Sequence, residues 1–282
     1  MINVSFIKNN FEKYLKNEFS INEISSMWYN WVVKDVFKMS HIDYFLKGDF
    51  RVKKRDHDQI NSLISHLLSR MPIQYFFGYT YFKDLKIKVD ASVLIPRPET
   101  EQLIDLVYKD ASQSSKYNII DIGTGSGCIA IALKKKLKSN IIAVDICNNA
   151  IKKAKKNALL NNVLINFQVI DIINVDHHQL MPKINLIVSN PPYVLHSEVS
   201  SNSIVHAEPK AAIFVPDSNP LIFYNAICQF AKTNLISGGK IFFEINPKLI
   251  SSLLKIIHKH GYFNIKIHKD FYKKNRFIVV SS

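Results

Sequence analysis

The N-terminal quarter of the chain has the apolar spacing of amphipathic helices. Apolar residues recur there at intervals of three and four, as in Ile60, Leu63, Ile64, Leu67 and Leu68. Glycine is nearly absent before residue 72, Gly48 being the only one, and Pro72 stops the last helical run. Residues 1–72 are therefore predicted to form an α-helical domain of four or five short helices.

The rest of the chain alternates short apolar runs with helical patterns. Aromatic and alternating positions around Gly78 and Lys83-Asp84 predict a β-hairpin between Tyr75 and Val89, within a linker of residues 73–95. Further apolar runs predict seven strands, near residues 117, 141, 165, 184, 240, 262 and 276. Strands that alternate with helices indicate an α/β fold with a parallel, doubly wound sheet. Residues 96–282 are predicted to form this domain.

One predicted strand runs into a glycine-rich loop and then a helix. The loop reads Asp121-Ile122-Gly123-Thr124-Gly125-Ser126-Gly127. Glycines permit positive φ and let a ligand approach the bare backbone. A carboxylate at the strand end would repel a pyrophosphate but attract an ammonium group. The predicted ligand is S-adenosylmethionine, which carries an amino group and a sulfonium, with Asp121, Gly123, Thr124, Gly125, Ser126 and Gly127 as binding residues.

The next two strands also end in aspartates. Asp145 lies 24 residues after Asp121, where a carboxylate accepts hydrogen bonds from both ribose hydroxyls of a nucleoside. Asp171 and Ile172 follow the third strand and are predicted to hold the edge and the face of an adenine. All three aspartates would alternatively serve as helix caps. Their occurrence at successive strand ends favours a cofactor site.

A second motif follows the apolar run Ile184 to Val188 and reads Asn190-Pro191-Pro192-Tyr193. Because proline cannot donate to a ladder, the strand must end there. The Asn190 carboxamide and the adjacent carbonyls form an acceptor-rich array beside an aromatic ring, which suits a planar group that carries an NH2. Asn190, Pro191 and Tyr193 are the predicted catalytic residues, Pro192 adds to the substrate site, and Asn190 also adjoins the cofactor. The alternative is a proline-terminated strand with a turn-forming asparagine.

In these motifs the chain resembles the class I methyltransferases, and more narrowly the release factor glutamine-N5 methyltransferases. Two further segments carry the narrower resemblance, Gln74-Tyr75-Phe76-Phe77-Gly78 and Leu94-Ile95-Pro96-Arg97-Pro98-Glu99-Thr100-Glu101. It extends from about residue 70 to the end of the chain.

The resemblance implies a Rossmann-like domain that methylates the glutamine of the Gly-Gly-Gln motif in peptide chain release factors, in translation termination. The methyl donor would be S-adenosylmethionine, the product S-adenosylhomocysteine, and the helical domain would help to grip the release factor. Asn190 Oδ1 and the Pro191 carbonyl would each accept one N–H of the glutamine, with Tyr193 against the amide face. No general base is expected, because the nitrogen becomes acidic only once it is alkylated.

The segment after the Asn-Pro-Pro-Tyr motif is predicted to close over the bound peptide, although a solvent-exposed connection is an alternative. It contains Glu208-Pro209, Pro216-Asp217 and a polar run at 197–203. Upstream, Pro98 is predicted as a first helical residue, with Arg97 and Glu99 at the border of the pocket. The chain departs from the family pattern at Asp217-Ser218-Asn219, where Asp-Gly is expected, and at Asn246, where glycine is usual.

A formal charge of +14 also favours a nucleic-acid partner, because lysine clusters neutralise phosphates. The Asn-Pro-Pro-Tyr motif would equally fit a methyltransferase that acts on an exocyclic amine of RNA or DNA, although no separate recognition module is evident. The lysine runs at 134–138 and 152–156 follow helical periodicity, which favours solvated helix faces. A third alternative is a non-catalytic binding protein, which the intact glycine loop, Asp145 and Asn190 argue against.

Other features restrict the classes of protein. No apolar run approaches the ~20 residues of a membrane span, and the N-terminus contains acidic residues, unlike a secretory signal. Cys128, Cys147 and Cys228 are widely spaced, which predicts free thiols in a reducing cytoplasm. The histidines lack metal-ligand spacing. We therefore expect a cytoplasmic, monomeric enzyme with no metal. Trp28, Tyr29 and Trp31 are expected to pack in the core of the helical domain rather than form a docking surface.

Overall fold

The computed structural model describes residues 2–111, 117–200 and 203–282, and the chain divides into two compact units, Met1–Phe77 and Gly78–Ser282. The first unit is built from helices and one small antiparallel strand pair. Its elements are β1 (Ile2–Asn3), α1 (Val4–Leu15), α2 (Ile21–Met27), a π-helical segment (Trp28–Val36), α3 (His41–Lys47), β2 (Arg51–Val52), α4 (Lys54–Leu68) and α5 (Ile73–Phe77).

The core of the first unit follows the predicted helical periodicity with one exception. Ile60, Leu63, Ile64 and Leu67 are buried along one face of α4. Leu68 was expected on the same face, but it is 43% exposed because it is the last residue of the helix. Trp28 is fully buried, and its Nε1 donates to Tyr44 Oη at 3.1 Å. Tyr29 and Trp31 are partly buried against the same core, so packing accounts for all three aromatic residues.

The predicted hairpin is shorter than its linker segment. Ile73–Phe77 is helical and belongs to the first unit, so the prediction that the hairpin begins at Tyr75 is wrong. The strands are β3 (Tyr79–Phe82) and β4 (Leu85–Lys88), paired antiparallel. Lys83 and Asp84 join them with φ angles of 48° and 63°. A two-residue turn with positive φ at both positions matches the twist of a hairpin, which fixes the register here.

The second unit contains a seven-stranded sheet flanked by helices, as predicted. Its helices are α6 (Thr100–Ala111), α7 (Cys128–Lys136), α8 (Asn148–Leu160), α9 (Ile222–Asn234) and α10 (Ile250–Lys259). Its remaining strands are β5 (Asn118–Ile122), β6 (Asn140–Asp145), β7 (Asn166–Val169), β8 (Ile184–Ser189), β9 (Val194–Leu195), β10 (Phe214–Val215), β11 (Leu235–Glu244), β12 (Asn264–Lys269) and β13 (Asn275–Ser281).

The strand order in the sheet is β12-β13-β11-β8-β5-β6-β7, while β9 and β10 form a separate parallel pair. Each strand predicted from an apolar run lies in this sheet. The prediction of an all-parallel sheet is wrong at β13, which is antiparallel to both β11 and β12. The reason is local: only residues 270–274 join β12 to β13, and so short a connection forms a hairpin rather than a crossover.

The two lysine runs lie where the periodicity placed them. Ile151, Ala154 and Ala158 are buried along one face of α8, while the lysines of that helix lie on its other faces. Lys134, Lys135 and Lys136 occupy the last turn of α7, where cations complement the helix dipole. In the part of the chain that the structure describes, no helix has both the length and the apolar content needed to cross a membrane.

Candidate functional site

The polar residues predicted from sequence lie at one edge of the sheet, where the parallel strands end. Ile122, the last residue of β5, pairs with Val144 of β6 on one side and with Ser189 of β8 on the other. Ser189 Oγ also donates to the Ile122 carbonyl at 2.7 Å. Because parallel strands end at the same edge, the glycine loop, Asp145 and Asn190 emerge side by side. The structure therefore brings the two motifs into one site.

Glycine is required at the three positions of the loop for different structural reasons. All have positive φ, 75° at Gly123, 52° at Gly125 and 83° at Gly127. A Cβ at Gly123 or Gly125 would meet no atom of the described residues within 4 Å, so their backbone borders open space. A Cβ at Gly127 would lie 3.0 Å from the Ala154 Cβ. The first two glycines thus leave room for a ligand, whereas the third lets α8 pack closely against the loop.

Asp121 is a buried carboxylate in which only one of the two oxygens has hydrogen-bond partners among the described residues. Its Oδ2 accepts from Thr124 Oγ1 at 2.6 Å and from the Ala130 amide in the first turn of α7 at 3.2 Å. Its Oδ1 is buried without a hydrogen-bond partner among the described residues. Burial raises the pKa of Asp121 to about 7. One oxygen therefore serves the helix start, and the other is left for a cationic group, which fits the ammonium of S-adenosylmethionine.

Asp145 joins the end of β6 to the glycine loop. Its Oδ2 accepts from the Gly125 amide at 2.9 Å, and its Oδ1 accepts from the Cys147 amide at 2.8 Å. Burial raises the pKa of this carboxyl group as well. Each oxygen keeps a further lone pair, so the carboxylate can hold the loop and still accept from a ligand hydroxyl.

Asp171 and Ile172, which were predicted to hold the adenine, have fewer contacts with the rest of the site. Asp171 Oδ1 accepts from the Ile173 amide at 2.9 Å, a local turn contact, and the side chain of Ile172 is buried.

A cavity of about 650 Å³ lies beside the end of β6, with Asp90, Cys147 and Lys153 in its wall. None of the cofactor residues predicted from sequence lines this cavity.

At the end of β8, the Asn190 carboxamide is held by Thr100, which is held in turn by Glu244. Both are buried, and neither was assigned a role from the sequence. Asn190 Nδ2 donates to Thr100 Oγ1 at 3.1 Å, and Thr100 Oγ1 donates to Glu244 Oε2 at 2.7 Å. Tyr193 Oη donates to the other oxygen, Glu244 Oε1, at 2.9 Å. We call this group of four residues the amide corner. Its hydrogen bonds connect the first residue of α6, the end of β8 and the last residue of β11.

The charge at the centre of the amide corner is strongly influenced by burial. Burial raises the pKa of Glu244, while its hydrogen bonds to Thr100 and Tyr193 and the charge of Arg276 act in the opposite direction. Burial and the neighbouring carboxylate raise the pKa of Tyr193, so its phenol keeps its proton and remains a donor. Two hydroxyl groups thus direct their protons at one carboxylate.

Asn246, where the sequence resemblance led us to expect glycine, also supports the Asn-Pro-Pro-Tyr motif. Its Nδ2 donates to the Tyr193 carbonyl at 3.1 Å and to Glu198 Oε2 at 2.9 Å. Its Oδ1 accepts from the Lys248 amide at 3.0 Å. Asn246 therefore connects the segment after β11 to the segment after the motif, beside the amide corner.

Glu208 joins the segment after the Asn-Pro-Pro-Tyr motif to the segment before α6. This residue is buried, its Oε2 accepts from the Ile95 amide at 2.9 Å, and its Oε1 forms an ion pair with Arg97. The structure has α6 begin at Thr100, so Pro98, expected as the first helical residue, lies in the preceding turn. Of the polar run 197–203, residues 201–202 lie outside the described residues.

Sequence reasoning assigned no role to Thr100, Glu244, Asn246 or Asn157. Asn157 is fully buried, donates from Nδ2 to the Ser126 carbonyl at 2.8 Å and accepts from the Lys88 amide at 2.8 Å. The sequence feature that could have identified them is a polar residue within an apolar pattern. Asn157 lies on the buried face of α8, and Glu244 is the last residue of the apolar strand β11. Within the described ranges, no group of three or more His, Cys, Asp or Glu side chains is arranged to hold a metal ion.

Comparison with known proteins shows that the chain is similar to methyltransferases. Residues 100–212 match the family model described as methyltransferase small domain. The chain is similar to the release factor glutamine methyltransferase of Flavobacterium psychrophilum, with 35% identity over 278 residues, 96% of each chain. It is also similar to the protein of the same name from Bacteroides thetaiotaomicron, with 34% identity over 250 residues, 88% of this chain and 89% of the relative.

A solved structure shows a related fold. A methyltransferase from Pyrococcus furiosus matches with a TM-score of 0.53 and 17% identity, covering 77% of this chain and 98% of that chain. At this level of identity the likeness bears on the fold alone. It agrees with the Rossmann-like architecture expected from the alternation of strands and helices.

Proposed function

The chain belongs to the family of release factor glutamine methyltransferases, and we propose that it methylates the side-chain amide nitrogen of the glutamine in the Gly-Gly-Gln motif of peptide chain release factors. The donor is S-adenosylmethionine, and the reaction takes place in the cytoplasm, where release factors act. Similarity over 96% of the chain to a protein with that activity in its name supports the substrate class. The geometry of the site supports the assignment of residues.

The residues at the glycine loop fit the cofactor. Asp121, with one buried oxygen free, would hold the ammonium group, and the open backbone at Gly123 and Gly125 would border the amino-acid end. Asp145 would accept from the ribose hydroxyls, and Asp171 and Ile172 would hold the adenine. When bound, S-adenosylmethionine supplies an electrophilic methyl group on a sulfonium that leaves as a neutral sulfide. The chain therefore needs to bind and orient this group but not to activate it.

The observation that carries the proposal is the orientation of Asn190. Its Nδ2 is turned inward to Thr100, so its Oδ1 remains for a substrate. Asn190 Oδ1 and the Pro191 carbonyl would each accept one N–H of the glutamine and fix the plane of the amide. Pro192 and Tyr193 form the adjoining wall. An amide nitrogen is a weak nucleophile because its lone pair is delocalised, so restricting its orientation is the main contribution that these residues make.

No residue of the site is assigned as a general base. The nitrogen loses its proton readily once it has been alkylated, so deprotonation need not precede transfer. Tyr193 is not a candidate, since its raised pKa keeps it protonated. Glu244 lies behind Thr100 and Tyr193, and its two oxygens already accept from their hydroxyl groups.

The test is a transfer assay with three acceptors. The purified protein is incubated with S-adenosylmethionine that carries a labelled methyl group and with a release factor, a mixture of ribosomal and transfer RNA, or duplex DNA. We expect label in the release factor alone. Label in RNA or DNA in place of the release factor would overturn the proposal in favour of an exocyclic-amine methyltransferase, and label in none would exclude catalysis on these substrates.

A further inference from the structure

The Thr100 hydroxyl group forms hydrogen bonds with both Asn190 and Glu244. A threonine hydroxyl has one proton to donate and two lone pairs to accept with. Thr100 donates its proton to Glu244 Oε2 at 2.7 Å and meets Asn190 at 3.1 Å. With the proton directed at the carboxylate, only a lone pair of the hydroxyl is left for Asn190. The carboxamide must therefore present its NH2 to Thr100 and its oxygen to the other side.

The direction of the Thr100 proton depends in turn on Glu244. This side chain is buried, and one of its oxygens accepts from Thr100 while the other accepts from Tyr193. An ionised carboxylate only accepts hydrogen bonds, so neither hydroxyl can reverse its direction without leaving a buried acceptor unsatisfied. Burial raises the pKa of Glu244, while the two hydroxyl donors and the charge of Arg276 oppose that rise, and both carboxylate oxygens act as acceptors in the structure. The order of donors therefore runs from Asn190 through Thr100 to Glu244.

We propose that Thr100 and Glu244 are positioning residues that make the amide corner selective for a group with two N–H donors. This inference rests on the proposed function, because it concerns the same Asn190 oxygen that would bind the glutamine. With the NH2 of Asn190 tied to Thr100, the corner presents oxygen atoms only. A glutamine amide nitrogen binds there, whereas a carboxylate oxygen would face acceptors and be rejected.

The most direct test removes the Thr100 hydroxyl. In Thr100→Val, Asn190 Nδ2 loses its partner, so the carboxamide is free to turn over and point a donor at the substrate. We expect kcat for release factor methylation to fall about 10- to 100-fold, because one buried polar contact is lost. The Kd for S-adenosylmethionine should stay within about twofold, since the loop contacts are separate. Thr100→Ser restores the hydroxyl and should recover kcat to within about threefold.

Thr233→Val is a matched control. Thr233 Oγ1 likewise lies within hydrogen-bond distance of two oxygen acceptors, the Phe230 carbonyl at 3.1 Å and Asn234 Oδ1 at 2.6 Å. It lies just before β11, at the opposite edge of the sheet from Glu244. The control should keep wild-type kcat even if its melting temperature drops, which separates positioning from general destabilisation. If Thr100→Val does not fold, Glu244→Gln takes its place, because the added NH2 forces one hydroxyl to reverse; we expect a several-fold lower kcat.

Combination with Asn190→Ala separates this inference from the proposed function. If Thr100 acts through Asn190, adding Thr100→Val to Asn190→Ala should change kcat by less than about twofold. Wild-type kcat in Thr100→Val, or a loss that is undiminished in the double variant, would overturn the positioning role and leave the proposed function standing. Wild-type kcat in Asn190→Ala would instead overturn the proposed role of the amide corner itself.

Discussion

The glycine loop and the amide corner lie at the same sheet edge but are built from contacts of very different range. Asp121 in the loop is held by residues three and nine positions away. In the amide corner, Asn190 and Thr100 are 90 residues apart, and Thr100 and Glu244 are 144 apart. The loop is completed by the next elements along the chain, β6 and α8, through Asp145 and Asn157, whereas the corner exists only when α6, β8 and β11 have assembled. Changes in the two regions should therefore have separable effects, on cofactor affinity and on turnover.

The largest expected effect comes from Asn190→Ala, which removes the proposed acceptor at the corner and leaves the loop intact. We expect kcat to fall about 10²- to 10³-fold, by analogy with the loss of one oxyanion-hole contact. Steady-state kinetics with a release factor measures this change, and titration calorimetry measures the cofactor Kd, which should change far less than kcat because Asn190 only adjoins the cofactor. A comparable loss of cofactor affinity would show that the two regions are not separate.

The next effect contrasts two glycines of the loop. Gly127→Ala combines positive φ with a Cβ 3.0 Å from that of Ala154, so we expect the free energy of unfolding to fall by about 2 to 4 kcal/mol. Gly125→Ala meets open space and should lose only about 1 kcal/mol, from backbone strain. Urea denaturation measures both values.

Cofactor affinity should respond differently from stability, because the methyl group introduced by Gly125→Ala would project into the space left for the ligand. We expect Gly125→Ala to weaken cofactor binding in a protein that remains folded. Equal destabilisation by the two substitutions would contradict the distinct reasons given for these glycines.

A smaller effect concerns Asp121 and pH. Burial raises the pKa of Asp121 to about 7 from an ordinary value of 3.8, so between these pH values the folded state keeps a proton that the unfolded state has lost. The contribution of Asp121 to stability therefore decreases as pH rises from about 4 to about 7. Asp121→Asn keeps the acceptor for Thr124 and Ala130 and removes this titration.

We expect the melting temperature of the cofactor-free wild type to fall more between about pH 5 and pH 8 than that of Asp121→Asn. Asp145 and Glu244, whose pKa values are also raised, are present in both proteins and cancel in the comparison. The variant should in addition bind S-adenosylmethionine more weakly, because it lacks the negative charge. Parallel pH profiles for the two proteins would contradict the assignment of a buried, half-satisfied carboxylate.

The range of the contacts also explains which features the sequence predicted. The strands, the glycine loop and the Asn-Pro-Pro-Tyr turn follow from short patterns, and the structure places them together. The antiparallel β13 was missed because the pattern of a strand does not record its direction, and α5 was missed because Tyr75, Phe76 and Phe77 are as compatible with a strand as with a helix. Thr100 was read as part of a helix start, and nothing local connects it to Glu244.

The amide corner is tested most directly by changing the substrate. A release factor with the native Gly-Gly-Gln motif and a variant with glutamate in place of that glutamine are incubated with the enzyme and S-adenosylmethionine, and peptide mass spectrometry locates the added methyl group. We expect one methyl group on the glutamine side-chain nitrogen and none on the glutamate variant. A methyl group on the glutamate, or on another residue of the native release factor, would contradict it.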